Sequence, residues 1–212
     1  MVRLYDYLSS GNGYKVRLVL TQLGIPFERV ELDILEGQTR TAAFLAKNPN
    51  GRIPTLEIEP GRYLAESNAI CCYLADGTPL WPADRLARAQ VLQWMFFEQY
   101  SHEPNIATVR FWVTHDLLTP ERAAQLESKR AQGEAALEVM ERHLAARPFF
   151  VADRYTVADV ALYAYTHVAA EGGFDLGRFG AVRAWLERVR GQPGHIAITD
   201  EVGEPGRMEC GA

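Results

Sequence analysis

Hydrophobic positions in the first third of the chain alternate between strand-like and helix-like spacing. Residues 2–7 and 27–32 show the short runs that are typical of β-strands. Between them, apolar residues recur at i, i+3, i+4 and i+7, which predicts one helix stripe formed by Val16, Val19, Leu20 and Leu23. Residues 53–65 predict a hairpin that turns at Pro60-Gly61, and a helix follows that ends near Gly77. The predicted order is βαβ followed by ββα.

Strand signals nearly vanish after a proline-containing linker, Thr78–Pro82. Residues 83–115 form one long helical pattern, and we expect a bend at Pro104 because proline removes a main-chain hydrogen bond. Thr119 is followed by a proline, which predicts a helix start, and that helix extends to about residue 146. The second part of the chain is therefore expected to be helical.

The end of the chain adds two helix signals and a tail. Thr156–Asp159 resembles a capping box in which Asp replaces the usual Glu. A last helical stripe covers residues 182–189, and the tail from Thr199 is expected to be loose or to lie along the surface. The whole pattern predicts an α/β domain at 1–77 and an all-helical domain at 84–212.

Composition narrows the class of protein. The chain has 212 residues, of which 48% are hydrophobic and 23% are charged, the balance of a folded globular protein. Its formal net charge of −5 does not suit a nucleic-acid partner, which requires a basic face. No apolar run approaches the ~18 residues of a membrane span, and the N-terminus lacks the apolar core of a signal peptide. We therefore expect a cytoplasmic protein without a membrane partner.

Cysteine and histidine positions argue against a metal centre. Cys71, Cys72 and Cys210 show neither metal-ligand spacing nor a disulfide framework, and the five histidines are scattered. We expect no metal and a reducing compartment.

Four motifs in a fixed order carry a family resemblance. They are a Ser/Gly/Asn loop at Ser9–Gly13, a turn and strand at Asn48–Leu56, a helix start at Glu66–Ile70 and the cap at Thr156–Asp159. Together they resemble the glutathione S-transferase family, and the loop is similar to that of bacterial, nu-like classes. The resemblance extends to about residue 192. It implies a thioredoxin-like α/β N-terminal domain followed by an all-α C-terminal domain, and a homodimer.

The resemblance implies that glutathione binds along two of these motifs. Ile53-Pro54 would be a cis-proline turn, and the main chain of Ile53 would pair with the cysteinyl part of glutathione. At the γ-glutamyl end, Glu66 would meet the ammonium, while Ser67 and the helix N-terminus would meet the carboxylate. Taken alone, Pro54 could equally be an ordinary trans proline and Ser67 a simple helix cap.

The loop before the first helix is where the family holds the glutathione sulfur. A free thiol has a pKa of about 8.5, and lowering it by two units needs about 2.7 kcal/mol. One hydrogen bond to the thiolate contributes about 1.5–3 kcal/mol and a helix N-terminus about 0.3–1 kcal/mol. The resemblance implies Ser10 as the donor with Asn12 assisting. Ser9 and Tyr7 are alternatives, and each loop residue could instead be a turn or cap residue.

Three further residues are implied by resemblance alone. Gln38 matches a residue placed against the glycyl end of glutathione, and Arg52 could meet a glutathione carboxylate. Arg130 matches an arginine that reaches the tripeptide from the helical domain. The alternative for Arg52 is a solvated side chain.

The predicted function is therefore a detoxification transferase that uses glutathione as co-substrate and activates its thiol for attack on a small hydrophobic electrophile. The loop contains no cysteine, so thiol transfer through a protein thiol is not expected. One alternative is a cysteine-independent reductase of disulfides that is linked to glutathione disulfide. Another is a non-catalytic interaction module with the same fold.

Overall fold

The computed structural model describes residues 1–208, and these divide into two compact units. The first unit comprises Met1–Asp76 and the described chain from Pro193 onwards, and the second comprises Gly77–Gln192. Residues 193–208 thus belong to the α/β unit, whereas the predicted boundary 84–212 placed them with the helices. No helix among the described residues is both long enough and apolar enough to cross a membrane.

A five-stranded mixed sheet forms the centre of the first unit. Its strands are β1 (Val2–Asp6), β2 (Phe27–Glu31), β3 (Thr55–Glu59), β4 (Arg62–Ala65) and β5 (Glu204–Pro205), in the order β4-β3-β1-β2-β5. The neighbours β1 and β2 run parallel, as do β2 and β5. The hairpin strand β3 runs antiparallel to both β1 and β4, as the sequence predicts for β3 and β4.

Three helices complete the first unit: α1 (Gly11–Gln22), α2 (Ala42–Leu45) and α3 (Ser67–Ala75). Three members of the apolar stripe predicted for α1, Val16, Val19 and Leu20, are fully buried, while Leu23 is the half-buried C-cap of the helix. The helix begins three residues before the predicted start at Tyr14, so the residues predicted as a loop form its first turn. The glycine at position 13 reflects close packing and not a loop, because a Cβ there would lie 1.6 Å from Asp6 Oδ1. A glycine, which has weak helix preference, is required inside this helix by close packing.

The C-terminal tail is anchored to the first unit, contrary to the expectation of a loose segment. The Tyr14 hydroxyl donates to the Ile196 carbonyl at 2.7 Å, and Arg17 Nη1 donates to the carbonyls of Ile198 and Asp200 at 3.1 and 3.2 Å. Strand β5 then pairs with β2 through Glu204. These contacts join residues far apart in sequence, so hydrophobic periodicity could not reveal them.

The second unit is helical, as predicted. Its helices are α4 (Arg85–Phe97), α5 (Glu103–Thr114), α6 (Pro120–Leu144), α7 (Val157–Thr166) and α8 (Gly180–Arg190). The bend expected at Pro104 takes the form of a π-helical segment, Glu98–His102, between α4 and α5. Pro104 lies in the first turn of α5, directly after this segment, and its missing N–H removes a main-chain hydrogen bond where the helical backbone continues from α4 into α5.

A buried carboxylate organises the start of α7. Asp159 and Thr156 form the predicted capping box. The Asp159 oxygens also accept from the Phe150 amide at 3.1 Å and from Trp185 Nε1 at 2.9 Å, which ties the preceding loop and α8 to the same group. Burial raises the pKa of Asp159 to about 6, against the lowering effect of these donors.

We expect Asp159→Asn to destabilise the protein by about 3–5 kcal/mol. The substitution replaces one acceptor oxygen with an NH₂ group that faces two N–H or O–H donors, and buried donors are then left unsatisfied. Urea unfolding monitored by circular dichroism measures the loss. Thr119→Ala, which removes the exposed cap of α6, is the matched control and should cost about 1 kcal/mol. Equal losses in the two variants would contradict the special role of Asp159.

Candidate functional site

The loop between β1 and α1 presents hydroxyl groups at the start of a helix. Ser10 is the N-cap of α1, and its Oγ accepts from the Gly13 amide at 3.3 Å. The Ser10 amide donates to the Tyr7 carbonyl at 2.8 Å, which closes the turn. Ser10 is therefore a cap residue, as its local sequence allowed. Because the cap uses the oxygen as an acceptor, the hydroxyl proton remains able to reach a second group.

Asn12 and Ser67, predicted from separate motifs, meet in the structure. Ser67 Oγ donates to Asn12 Oδ1 at 3.0 Å, which joins the first turn of α1 to the first residue of α3. Lys15 Nζ in turn donates to Ser67 Oγ at 3.4 Å. Lys15 was not predicted as a site residue. The available signal was a lysine between Tyr14 and Val16 at the start of the predicted helix, since lysine is almost never fully buried without a partner.

The start of α3 has an unusual backbone conformation. Glu66 lies just before the helix with φ of 67° and ψ of 111°, and its carbonyl accepts from the Ile70 amide at 2.9 Å. Its side chain is exposed, whereas Ser67 is only 6% exposed. A non-glycine residue at positive φ costs on the order of 1–3 kcal/mol. The conformation places an exposed carboxylate beside the unsatisfied N–H groups of a helix N-terminus.

The Ile53-Pro54 peptide bond is cis, which confirms the sequence prediction. Asn48 stabilises this turn by two hydrogen bonds. Its Nδ2 donates to the Arg52 carbonyl at 2.8 Å and to Thr55 Oγ1 at 3.1 Å. Asn48 is buried, although its sequence context predicts only a turn residue. A turn residue that is buried rather than solvated indicates that its side chain holds the loop together.

The remaining predicted residues lie in varied surroundings. Gln38 is exposed in a 3₁₀ turn, and its Oε1 accepts from the Asp33 amide at 2.8 Å. Arg52 is exposed beside the cis-proline turn. Arg130, on α6 of the second unit, donates through Nε and Nη2 to the Gly172 carbonyl at 3.2 and 3.0 Å. The roles assigned to these three side chains stay predictions.

The tyrosines of β1 differ in their availability. Tyr5 is buried, its hydroxyl donates to Glu57 Oε2 at 3.0 Å, and burial raises its pKa. Tyr7 is half-buried at the end of the strand. Of the two, Tyr7 stays the alternative to the serine and asparagine groups.

A buried ion pair anchors the start of the loop between β1 and α1. Arg17 Nε lies 2.8 Å from Asp6 Oδ2, and both side chains are fully buried. Arg17 Nη2 also donates to the Leu8 carbonyl at 2.6 Å, immediately before the serines of the loop. Burial raises the pKa of Asp6 to about 6, although the nearby Arg17 charge opposes this. Breaking one partner of such a pair costs about 3–5 kcal/mol.

The raised pKa of Asp6 predicts a pH dependence of stability. The folded protein binds this proton more tightly than the unfolded chain, whose carboxyl has a pKa of 3.8. The resulting stabilisation, about 3 kcal/mol, is present below about pH 4 and is lost as pH rises through about 6. Asp6→Asn has no carboxyl group to titrate at this position and should lack this fall between pH 4 and 6. Urea unfolding at a series of pH values tests this, and parallel curves for the two proteins would contradict it.

The described cysteines lie on α3 and not in the loop. Cys71 is buried in α3, and burial raises the pKa of the half-buried Cys72 thiol to about 11. Cys210 lies outside the described residues. Within residues 1–208, no group of three or more His, Cys, Asp or Glu side chains is placed to hold a metal ion.

The fold and the positions of these groups define a thioredoxin-like unit joined to a helical unit, with polar groups at the starts of α1 and α3. The model of the N-terminal domain of glutathione S-transferases matches residues 1–76, and that of the C-terminal domain matches residues 93–193. The chain belongs to the glutathione S-transferase family, as its motifs predicted.

Individual relatives agree with this assignment. A glutathione S-transferase from Pseudomonas fluorescens Pf-5 has a crystal structure that is 51% identical with a TM-score of 0.92, covering 94% of this chain and 99% of that one. Glutathione S-transferase 3 of Zea mays is 32% identical, covering 91% of this chain and 90% of the relative. Ure2p in complex with glutathione is 26% identical with a TM-score of 0.82, covering 91% and 95%.

The backbone at Glu66 predicts a gain in stability on substitution. We expect Glu66→Gly to stabilise the protein by about 1 kcal/mol, because glycine adopts positive φ without strain, and this outweighs its added freedom in the unfolded chain. Glu66→Ala is the matched control: it removes the carboxylate and keeps the strain, so it should not stabilise. Thermal and urea unfolding measure both variants. A glycine variant no more stable than the alanine variant would contradict the strain argument.

Proposed function

We propose that this protein is a glutathione transferase that holds the glutathione sulfur as a thiolate and directs it at a small hydrophobic electrophile. The observation that carries the proposal is the hydrogen bond from Ser67 to Asn12. It links the residue expected at the γ-glutamyl end to the residue expected at the sulfur. A relative of the same fold, Ure2p, has been solved with glutathione bound.

The proposed binding mode follows from the groups at the two helix starts. The N-terminus of α3, with the Ser67 amide, receives the γ-glutamyl carboxylate, and the exposed Glu66 carboxylate receives the ammonium. The main chain of Ile53, before the buried Pro54, pairs with the cysteinyl residue as an added strand does. Exposed Gln38 and Arg52 serve the glycyl end.

Two donors and one helix end stabilise the thiolate. Ser10 offers its hydroxyl proton and Asn12 its NH₂ group, both at the N-terminus of the twelve-residue helix α1. A hydrogen bond to an anion contributes about 1.5–3 kcal/mol, so these groups suffice to bring a thiol pKa of about 8.5 below neutrality. The thiolate then forms a carbon–sulfur bond with the electrophile, and the leaving group departs with the electron pair.

The residue assignment predicts that Ser10→Ala and Asn12→Ala lower kcat/KM for conjugation about 10–100-fold each, because each removes one hydrogen bond to the thiolate. Affinity for glutathione, measured by calorimetry, should change far less. Thr114→Ala is the matched control, since it removes a hydroxyl that donates to the Arg110 carbonyl within the last turn of α5 in the second unit. A Ser10→Ala/Asn12→Ala double variant with full activity would overturn the assignment.

A second function, reduction of disulfides with glutathione as the thiol, is favoured by one observation. The described cysteines cannot supply a reactive thiolate near neutral pH, because Cys71 is buried and the Cys72 pKa is raised to about 11. Reduction would then use two glutathione molecules and release glutathione disulfide. Conjugation and disulfide reduction measured at the same protein concentration distinguish the two reactions. If the protein does not bind glutathione in calorimetry, the alternative of a non-catalytic interaction module is favoured. The proposed homodimer is tested separately by light scattering.

A further inference from the structure

We propose that the C-terminal tail, residues 193–208, acts through Arg17 to position the loop before α1, so that the capacity of Ser10 to hold the glutathione sulfur as a thiolate depends on the tail. The inference rests on the proposed function, because it concerns the same thiol. Arg17 is a positioning residue and not a catalytic one, because its fully buried side chain contacts the backbone of the loop.

The loop between β1 and α1 is held by hydrogen bonds rather than by burial. Residues 7–10 are all half-buried. The Leu8 amide donates to Glu31 Oε1 at 2.8 Å, and the Leu8 carbonyl accepts from Arg17 Nη2 at 2.6 Å. Ser10 stabilises a thiolate only while its hydroxyl lies within hydrogen-bond distance of the sulfur. A loop displacement of about 1 Å is therefore enough to weaken that bond.

The guanidinium group of Arg17 connects this loop to the tail. While Nη2 donates to the Leu8 carbonyl, Nη1 donates to the carbonyls of Ile198 and Asp200 at 3.1 and 3.2 Å. Nη1 carries two N–H groups, so the tail engages both of them. Since the guanidinium is planar and rigid, the tail carbonyls fix the direction in which Nη2 points at the loop. Without the tail, two donors of a buried side chain would lack these partners, which favours a shift of the whole group.

A turn in the tail presents both carbonyls to the guanidinium. Asp200 Oδ2 accepts from the Ala197 amide at 2.8 Å, and the Asp200 amide donates to the Ala197 carbonyl at 3.1 Å. Just before this turn, the Ile196 carbonyl accepts from the Tyr14 hydroxyl at 2.7 Å. These bonds set the position of the turn on α1, so loosening them changes what Arg17 meets without changing the loop itself.

Beyond this turn the tail has further anchors on the first unit. Strand β5 pairs with β2, and the Gly206 amide donates to the Arg29 carbonyl at 2.8 Å. Met208 packs against a cluster of buried side chains of the sheet and α2, namely Tyr5, Val30, Leu32 and Phe44. The tail therefore stays attached when one anchor near Arg17 is removed, and single substitutions there loosen the turn without releasing the whole tail.

The experiment loosens the tail turn without changing a residue of the loop. Asp200→Ala removes the carboxylate that closes the turn, and Tyr14→Phe removes the donor to the Ile196 carbonyl. Arg17→Lys keeps a charge beside Asp6 but cannot span three carbonyls. Thiolate formation by bound glutathione is followed by its ultraviolet absorption across a pH series.

We expect Arg17→Lys to raise the pKa of the bound thiol by about 1–2 units, the equivalent of one lost hydrogen bond to an anion. Asp200→Ala and Tyr14→Phe should each raise this pKa by about half as much, because each leaves the guanidinium in place. Affinity for S-methylglutathione, which has no thiol, should stay within about threefold. A purely structural role of the tail would instead lower the affinity for both ligands and leave the thiol pKa unchanged.

The controls separate positioning from general damage. Asp175→Ala is the matched control: Asp175 Oδ1 accepts from the Gly177 amide at 2.8 Å, so the variant opens a similar turn in the second unit and should leave the thiol pKa unchanged. Combined with Ser10→Ala, Asp200→Ala should raise the thiol pKa no further than Ser10→Ala alone, since the tail acts through Ser10. If Arg17→Lys does not fold, the two tail variants decide.

Three outcomes overturn the inference: an unchanged thiol pKa in Asp200→Ala or Tyr14→Phe, an equal rise in Asp175→Ala and Asp200→Ala, or additive effects of Ser10→Ala and Asp200→Ala. Each leaves the proposed function standing, because wild-type glutathione binding and activity are measured beside them. A wild-type protein that binds neither glutathione nor S-methylglutathione overturns both the proposed function and the inference.

Discussion

The buried ion pair between Arg17 and Asp6 is the interaction on which the architecture of the first unit depends. One guanidinium group meets a carboxylate on β1, the Leu8 carbonyl before the serine loop, and two carbonyls of the C-terminal tail. A buried charge is tolerated only when such partners surround it. Because Arg17 needs all of these partners, its side chain holds the strand, the loop and the tail together. The loop held in this way carries Ser10.

The same carboxylate determines where α1 begins. Asp6 packs so closely against Gly13 that no larger residue fits there, which brings the first turn of the helix against the end of β1. Asn12 follows from that approach, because it lies one residue earlier on the same turn and reaches the start of α3. The proposed stabilisation of the thiolate thus depends on the packing of Asp6 against Gly13, although neither residue is proposed to contact glutathione.

Features that depend on residues close together in sequence were predicted well, whereas contacts between residues far apart in sequence were not. The caps at Thr119 and Thr156 and the helical spacing of α1 were predictable because each depends on residues that are neighbours in sequence. The cis bond before Pro54 was implied only by the family resemblance. The start of α1 was misplaced because glycine usually signals a loop. Neither β5 nor the burial of Lys15 was predictable, since each arises from residues that approach only in the folded chain. For the site, motifs identified Asn12 and Ser67 separately, while their hydrogen bond required the structure.

The return of the chain to its first unit makes that unit discontinuous in sequence. Residues 1–76 alone lack β5, which covers the outer edge of β2, and they lack the carbonyls that Arg17 meets in the tail. An uncovered strand edge is a template for pairing with other chains. The unit is therefore completed only after residues 193–205 have been synthesised. A ribosome-bound chain that ends before residue 193 must keep this edge from aggregating until the tail arrives.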